Sequence, residues 1–441
     1  MNDYDIRVLH GSRLTSQLPQ TGDGSVLMTD SGTFPLFERA HTVMLGQTGY
    51  GKSTTLKNIL RDAPAQYAKR ILFDPKDDFQ CFCQEGRDLV LGRDCFWNLC
   101  EEVLFDPRGG KLTPEELYVN SIAISNMLFA QRLDPKNCKE QYFPLAARVI
   151  LASCLTVWCD CGQDDPEFRR KYLNNREVIS FFSSAQPDDI LNLVSGYEQF
   201  RHLRNYLTTE PGCVSNEDIL ALVSGSNRCD RPQDALNAAL SGAPTKDGSA
   251  VLAELTLTLK DLLIGSFAQP GDFSVRRFLY EPQNRTLLLK YDFSRAAAFS
   301  VCTRAILDLA LSESLAPGAH LHGNVAFFLD ELPLVSVPPL KNLPYALNYG
   351  LGMNCRIWTA FQSISQLYQH YGKNDAHSIL AGFTQMIFFR LDGVTAGVVG
   401  EMLGSNDQIL IRSGKRLLNA HDAATGDPLW TLDVGPIAED Y

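Results

Sequence analysis

The sequence predicts an α/β fold: a mostly parallel central sheet bearing a phosphate-binding loop and interrupted by an inserted all-α domain. Three observations lead there. Residues Gly46 to Ser53 match G-x-x-x-x-G-K-[ST] and directly follow an apolar, strand-like run, Thr42 to Leu45. Short apolar runs alternate with helical patterns near both ends of the chain, as in parallel sheets covered on both faces. Between about Gly109 and Lys260 strand patterns vanish and helical periodicity takes over.

Residues from Met1 to about Phe37 are rich in turn signals, with apolar pieces at Ile6 to Leu9 and Val26 to Met28 that can form edge strands. After the Thr42 strand and the Gly-rich loop, Ser53 to Leu60 is expected as a helix. Arg70 to Asp74 follows as a second strand ended by Pro75, completing a β-α-β unit. Helical spacing then marks Pro114 to Arg132, Tyr142 to Trp158, Arg176 to Ser183, Pro187 to Thr208, Val214 to Ser224 and Ala250 to Ser266, up to a turn at Gln269-Pro270-Gly271. The expected division is a discontinuous nucleotide-binding domain, 1–108 and 270–441, split by an all-α domain, 109–269. Strands return at Arg285 to Tyr291, Asn324 to Asp330, Arg356 to Phe361 and Thr384 to Leu391, with helices over Ala296 to Leu315, Pro339 to Tyr349 and Ser363 to Tyr371. A hairpin is expected with strands Gln408 to Ser413 and Arg416 to Leu418 flanking Gly414-Lys415, and Leu417 to Tyr441 carries no assignable motif.

The chain has 441 residues, 45% of them hydrophobic, and a formal net charge of −11. That is enough apolar content for a large core, and the charge excludes a global field drawing it to nucleic acid, so such contacts must be local. Met1 to Gln20 lacks the pattern of a signal peptide and no run of eighteen apolar residues occurs, so the expected location is cytoplasmic. Twelve cysteines are scattered, and the pairs Cys81/Cys83 and Cys159/Cys161 are C-x-C without nearby histidines. They are expected as reduced thiols, not zinc ligands.

The chemistry of the loop indicates ATP and Mg²⁺. Gly46, Gly49 and Gly51 let the backbone amides turn toward phosphate oxygens, Thr48 and Thr54 flank that cradle, Lys52 reaches the β- and γ-phosphates, and Ser53 can ligate Mg²⁺. An apolar strand ending in Asp330-Glu331 supplies the second motif: Asp330 to hold the metal's hydration shell, Glu331 to polarise the attacking water. Gln362, at the end of the next strand, can hydrogen-bond both water and γ-phosphate. Basic clusters that can meet a polynucleotide are Arg169-Arg170-Lys171 with Arg176, Arg201 to Arg204, and Arg412 with Lys415-Arg416.

In this order, Gly46 to Thr54, Asp74-Pro75-Lys76, Trp97-Asn98-Leu99, Phe328 to Leu332, and Phe361-Gln362-Ser363 with Gln366-Leu367 resemble the ATPase of type IV secretion coupling proteins, within the class of FtsK- and HerA-like DNA pumps. His10-Gly11-Ser12 and Asp392 to Gly404 resemble further segments of that family. The resemblance implies a RecA-like motor, a hexameric ring with ATP between subunits, DNA as the moved polymer, and relaxase or secretion-channel proteins as partners. A motor for protein substrates or DNA packaging, or a nucleotide-stabilised docking platform, would share these residues. Membrane-spanning helices usually precede the family's counterpart of His10-Gly11-Ser12, and this chain starts there, so membrane attachment is expected only through a partner, at the bacterial inner membrane. Ala346-Leu347-Asn348 lacks the arginine often found in that helix, which leaves Arg390, ahead of Arg356, as the expected arginine finger.

Overall fold

The computed structural model describes residues 26–29, 32–35, 40–62, 67–134, 141–207, 248–291, 296–316, 323–353, 355–403, 417–421 and 428–433. Among them, seven strands form one sheet, every pairing parallel: β3 (Thr42–Leu45), β4 (Lys69–Asp74), β5 (Leu89–Val90), β6 (Arg285–Lys290), β7 (Val325–Asp330), β8 (Cys355–Phe361) and β9 (Gln385–Phe388). Their order is β5-β6-β4-β7-β8-β3-β9. The loop-bearing strand β3 thus lies one strand away from β7, which ends in the acidic pair. Two antiparallel hairpins stand outside this sheet, β1 (Val26–Thr29) with β2 (Gly32–Pro35) and β10 (Leu417–His421) with β11 (Pro428–Asp433). The expected strand Arg416 to Leu418 overlaps β10, which pairs with β11 rather than with Gln408 to Ser413, a segment outside the described residues. The turn expected at Gly414-Lys415 and the helix expected at Val214 to Ser224 lie outside the described residues.

Period-two geometry sorts the apolar strands onto two faces. Met44, Leu72, Leu288 and Phe328 point to one side, where Leu56, Ile59 and Leu60 of α1 (Lys52–Asp62) cover them. Their neighbours Val43, Leu45, Ile71, Phe73, Leu287, Leu289, Phe327 and Leu329 point to the other. Trp358 closes the first face, stacked on Phe328 at 4.7 Å. Arg356 lies 4.3 Å from the Trp358 ring and donates to the Ala40 carbonyl and the Tyr67 hydroxyl, so this arginine is internal structure rather than a finger.

The described residues from 109 to 269 form helices and turns, with no strand. They comprise α3 (Pro114–Leu128), α4 (Tyr142–Asp164), α5 (Pro166–Tyr172), α6 (Asn175–Ser184), α7 (Pro187–Val194), α8 (Arg204–Leu207) and α9 (Gly248–Leu262); α2 (Leu99–Val103) leads in and α10 (Val275–Tyr280) leads out. Thr113 and Glu116 start α3 with a reciprocal capping box, and Pro114 fits the first turn because its missing amide has no intrahelical partner there. Helix α4 is the one described helix long and apolar enough to cross a membrane, yet it is a core helix, buried along most of its length. Its apolar side chains belong to the same continuous cluster as the second sheet face. The apolar cluster of the helical segment is thus continuous with that of the second sheet face.

Buried polar groups fix the junction. Asn98 donates to the carbonyls of Leu173 and Gly271, while Asn175 donates to those of Trp97 and Phe267 and accepts from the Leu99 amide. Glu102, fully buried, accepts from Trp97 Nε1, Ser274 Oγ and the Val275 and Arg276 amides. Glu101 is clamped by Arg169 and Arg277. Arg169 is thereby spent on structure and Arg176 bonds Gln269, so the first basic cluster is largely committed within the chain. Arg201 pairs with Glu198 in solvent, and Arg412, Lys415 and Arg416 lie outside the described residues.

The remaining covering helices are α11 (Ala296–Ser314), α12 (Leu343–Tyr349), α13 (Ile364–Tyr371), α14 (Lys373–Ala381) and α15 (Gly393–Leu403). Cys95, Cys100, Cys154, Cys159, Cys302 and Cys355 are buried free thiols, and no cluster among the described residues has the side chains to hold a metal through three or more His, Cys, Asp or Glu. Cys138, Cys213 and Cys229 lie outside the described residues.

Two stability predictions follow from this packing. His41 is fully buried and its Nδ1 accepts the Ile357 amide, which requires a neutral ring; burial, aided by Arg356, lowers its pKa to about 4. The folded pKa lies below the unfolded one, so this contribution is intact above pH ~6.5 and is lost as pH falls toward the folded value. Urea unfolding from pH 7 to 4 should show wild type losing about 3 kcal/mol more than His41→Gln; parallel losses would disprove the assignment. At Gly46, a Cβ would sit 2.6 Å from Phe389 Cβ and 3.2 Å from the Arg390 carbonyl oxygen. Gly46→Ala should therefore cost about 2 kcal/mol in a thermal melt without any nucleotide, and an unchanged melting temperature would show that the β3–β9 contact is looser than this.

Candidate nucleotide site

The site lies at the carboxyl ends of β3, β7, β8 and β4, where loops in an open parallel sheet converge. Gly49 and Gly51 adopt φ of 86° and 95°, conformations that a side chain would strain, and they carry the chain from β3 into α1. The Gly46 amide bonds the Phe361 carbonyl (3.3 Å) and the Gln47 amide bonds the Arg390 carbonyl (2.7 Å), tying the loop to both neighbouring strands. Thr48 and Thr54 are exposed on the loop and on the first turn of α1. Lys52 is buried, and its ammonium folds back onto the carbonyls of Gly46 (2.6 Å) and Gln47 (3.0 Å). Burial lowers its pKa and Lys76 adds to that, against the pull of Glu331 and Asp330.

Residues far apart in the chain meet here. Ser53 Oγ donates to Asp330 Oδ2 at 3.0 Å, and Gln362 Nε2 donates to Glu331 Oε1 at 3.3 Å. Asp330 has no exposed surface and Glu331 almost none. Glu331 adopts the left-handed conformation (φ 58°, ψ 57°), which turns its carboxylate back toward the loop at a cost of about 1–3 kcal/mol for a non-glycine residue. Gln362 precedes a capping box in which Ser363 accepts from Ser365 N and Gln366 accepts from Ser363 N, so α13 holds it in place.

Lys76 was singled out in the sequence only as part of a motif. Its ammonium contacts Ser53 Oγ (3.3 Å), Asp330 Oδ2 (3.1 Å) and Glu331 Oε1 (3.2 Å). Burial pulls its pKa down, but the two carboxylates outweigh that and hold it above the ordinary lysine value. The preceding Asp74 explains the aim: its carboxylate accepts the amides of Lys76, Asp78 and Phe79 and so folds a tight turn after β4.

Arg390 is exposed and stands over Tyr50 of its own loop, with its guanidinium donating to the Tyr50 hydroxyl and 5.5 Å from the ring. Within its own chain the arginine expected as a finger is thus held at its own loop. Backbone and side chain are both engaged at the loop of the same chain, because β9 pairs directly with β3.

The residues present suit a hard divalent cation. Ser53 Oγ and the Asp330 carboxylate are oxygen donors, and Asp330 Oδ1 is buried without a hydrogen-bond partner, an acceptor left over for a cation or its water.

The profile of the type IV secretion-system coupling protein DNA-binding domain family matches residues 32–192 and 240–419. Solved structures similar in fold include the bacterial conjugative coupling protein TrwBdeltaN70 in an unbound form (TM-score 0.61, 18% identity, 94% of this chain and 82% of that one). TrwB in complex with ADP and Mg²⁺ is as close in shape (TM-score 0.61, 17% identity, 97% and 86% covered). TrwB with the ATP analogue ADPNP also matches (TM-score 0.57, 18% identity, 86% and 77% covered). No curated protein matches by sequence. Identities this low establish the fold alone, a parallel α/β sheet with a helical insertion; the profile, spanning most of the sheet, the nucleotide site and much of the helical segment, makes the chain a member of the type IV secretion-system coupling protein DNA-binding domain family.

Proposed function

We propose that the chain is a ring-forming, hexameric ATPase that couples ATP hydrolysis to DNA translocation or substrate delivery in a type IV secretion machine. The observation that supports it most is the meeting of Ser53, Asp330, Glu331 and Gln362 around the mouth of the phosphate loop. TrwB, whose fold this chain shares, has been solved with ADP and Mg²⁺ and with ADPNP. Lys52 leaves the loop carbonyls for the β- and γ-phosphates, and the amides of residues 46–53 cradle them. Ser53 and Asp330 would hold Mg²⁺, which would neutralise phosphate charge. Glu331 takes the proton of the attacking water, and Gln362 orients that water and senses the γ-phosphate. Arg390 adds positive charge from the rim of the same site.

The motor comprises 1–108 and 270–441 and the all-α part 109–269, joined through the shared core. Relaxase and channel proteins are the proposed partners, with a place at the cytoplasmic side of the inner membrane held through them. DNA-dependent stimulation of hydrolysis separates this reading from a motor for protein substrates.

Losing the Lys52 charge should weaken ATP binding about 10- to 100-fold in Lys52→Ala, whereas Glu331→Gln should bind normally and turn over at least about 100-fold more slowly. Equal affinity of wild type and Lys52→Ala, measured by calorimetry, would sink the assignment. For Arg390, its position at its own loop predicts that Arg390→Ala slows turnover at least about tenfold with binding retained. Mixing with Glu331→Gln subunits should then give no recovery, since neither subunit has a complete site; recovered activity would return Arg390 to a role across the interface.

A further inference from the structure

The Lys76 ammonium sits among the oxygens that a divalent cation needs: Ser53 Oγ at 3.3 Å, Asp330 Oδ2 at 3.1 Å and Glu331 Oε1 at 3.2 Å. We propose that Lys76 is a built-in counter-ion that holds the metal subsite closed to free divalent cations until nucleotide arrives. The proposal rests on the nucleotide-site reading above and adds a role for a residue which that reading leaves without one.

Four features of the chain support it. An ammonium and a divalent cation drawn to the same oxygens repel each other strongly in a half-buried site, so one excludes the other. The turn that carries Lys76 is braced on both sides: Asp74 accepts three of its amides, Lys57 pairs with Asp78 at 2.6 Å, and Lys290 pairs with Asp77 at 2.7 Å. Asp77 takes φ of 62°, a conformation uncommon outside glycine, which bends the chain immediately after Lys76. The Lys76 side chain is 38% exposed while that of Asp330 is wholly buried, so the lysine can swing out through solvent without opening the core.

The ammonium is also an incomplete substitute. It meets Asp330 at Oδ2 and leaves Oδ1 unpartnered, whereas a metal with its water shell can serve both oxygens. Phosphate oxygens entering the loop give Lys76 another partner and lower the cost of its departure. Metal and nucleotide would then enter together, and the empty acid pair would avoid trapping a cation on its own.

The test needs no turnover. Manganese(II) is titrated into the nucleotide-free full chain and followed by the electron-spin-resonance signal of the free ion. Lys76→Met should bind the ion at least about fivefold more tightly than wild type, because a neutral side chain of similar length leaves the oxygens free. Lys76→Arg, which keeps the charge, should stay within about twofold of wild type. Equal affinity in Lys76→Met and wild type overturns the proposal, as does tightening of the same size in Lys76→Arg, which would show that the charge is not what keeps the ion out. Lys76→Gln, with an intact thermal melt, replaces the methionine variant if that one unfolds. ADP binding by wild type with Mg²⁺ is measured separately: its absence overturns the nucleotide reading, while the manganese comparison still judges Lys76.

Discussion

A carboxylate with no exposed surface, Asp330, ends a central strand of the sheet, and the arrangement around it follows from the cost of burying that charge. An isolated ion there would be untenable. The chain answers with a hydroxyl from the loop (Ser53) and an ammonium from the turn after β4 (Lys76), which also reaches the neighbouring acid Glu331. These contacts lock the loop, the β4 turn and the end of β7 into one polar unit. Each is also a group that phosphate or a metal can take over, so the contacts that balance the charge of Asp330 also prepare the site for ligand.

Strand order makes that unit possible. Because β8 lies between β3 and β7, the loop and the acidic pair face each other across one strand, and the end of β8 delivers Gln362 into the gap. On the far side β9 pairs with β3, which puts Arg390 on the rim of its own loop. A parallel sheet sends all these ends to the same edge, so one architecture positions every reacting side chain.

The helical segment is joined to this frame by more than its two chain crossings. Glu102, Asn98 and Asn175 satisfy polar groups from the entry near 97, the turn near 173 and the exit near 267–276, and all of these bonds but the one from Asn98 to the Gly271 carbonyl are buried. Leaving any one of those groups unpaired would cost about 1–3 kcal/mol. The apolar cluster continues from the second sheet face into α4, so the helices and that face form one packed body.

The sequence by itself determined the parallel α/β class, the phosphate loop, the acidic pair and the helical character of the middle of the chain. These are local signals: the spacing of three glycines and a lysine, apolar runs of strand length, and a change of period from strand to helix. Gln362 was legible for the same reason, as the residue after an apolar strand. The tertiary structure alone decided what meets across the sheet. Lys76 lies more than two hundred residues from Asp330 along the chain, and only strand order brings their ends together; nothing in the local pattern Asp74-Pro75-Lys76 distinguishes an ammonium in solvent from one among buried acids. Arg390 and Arg356 look alike at the level of sequence, each beside an apolar strand, yet pairing places one over the loop of its own chain and the other under Trp358. Likewise the apolarity of Tyr142–Asp164 showed that it would be buried, but which helices cover it, and that their apolar cluster runs on into the second sheet face, depended on long-range packing that no periodicity encodes.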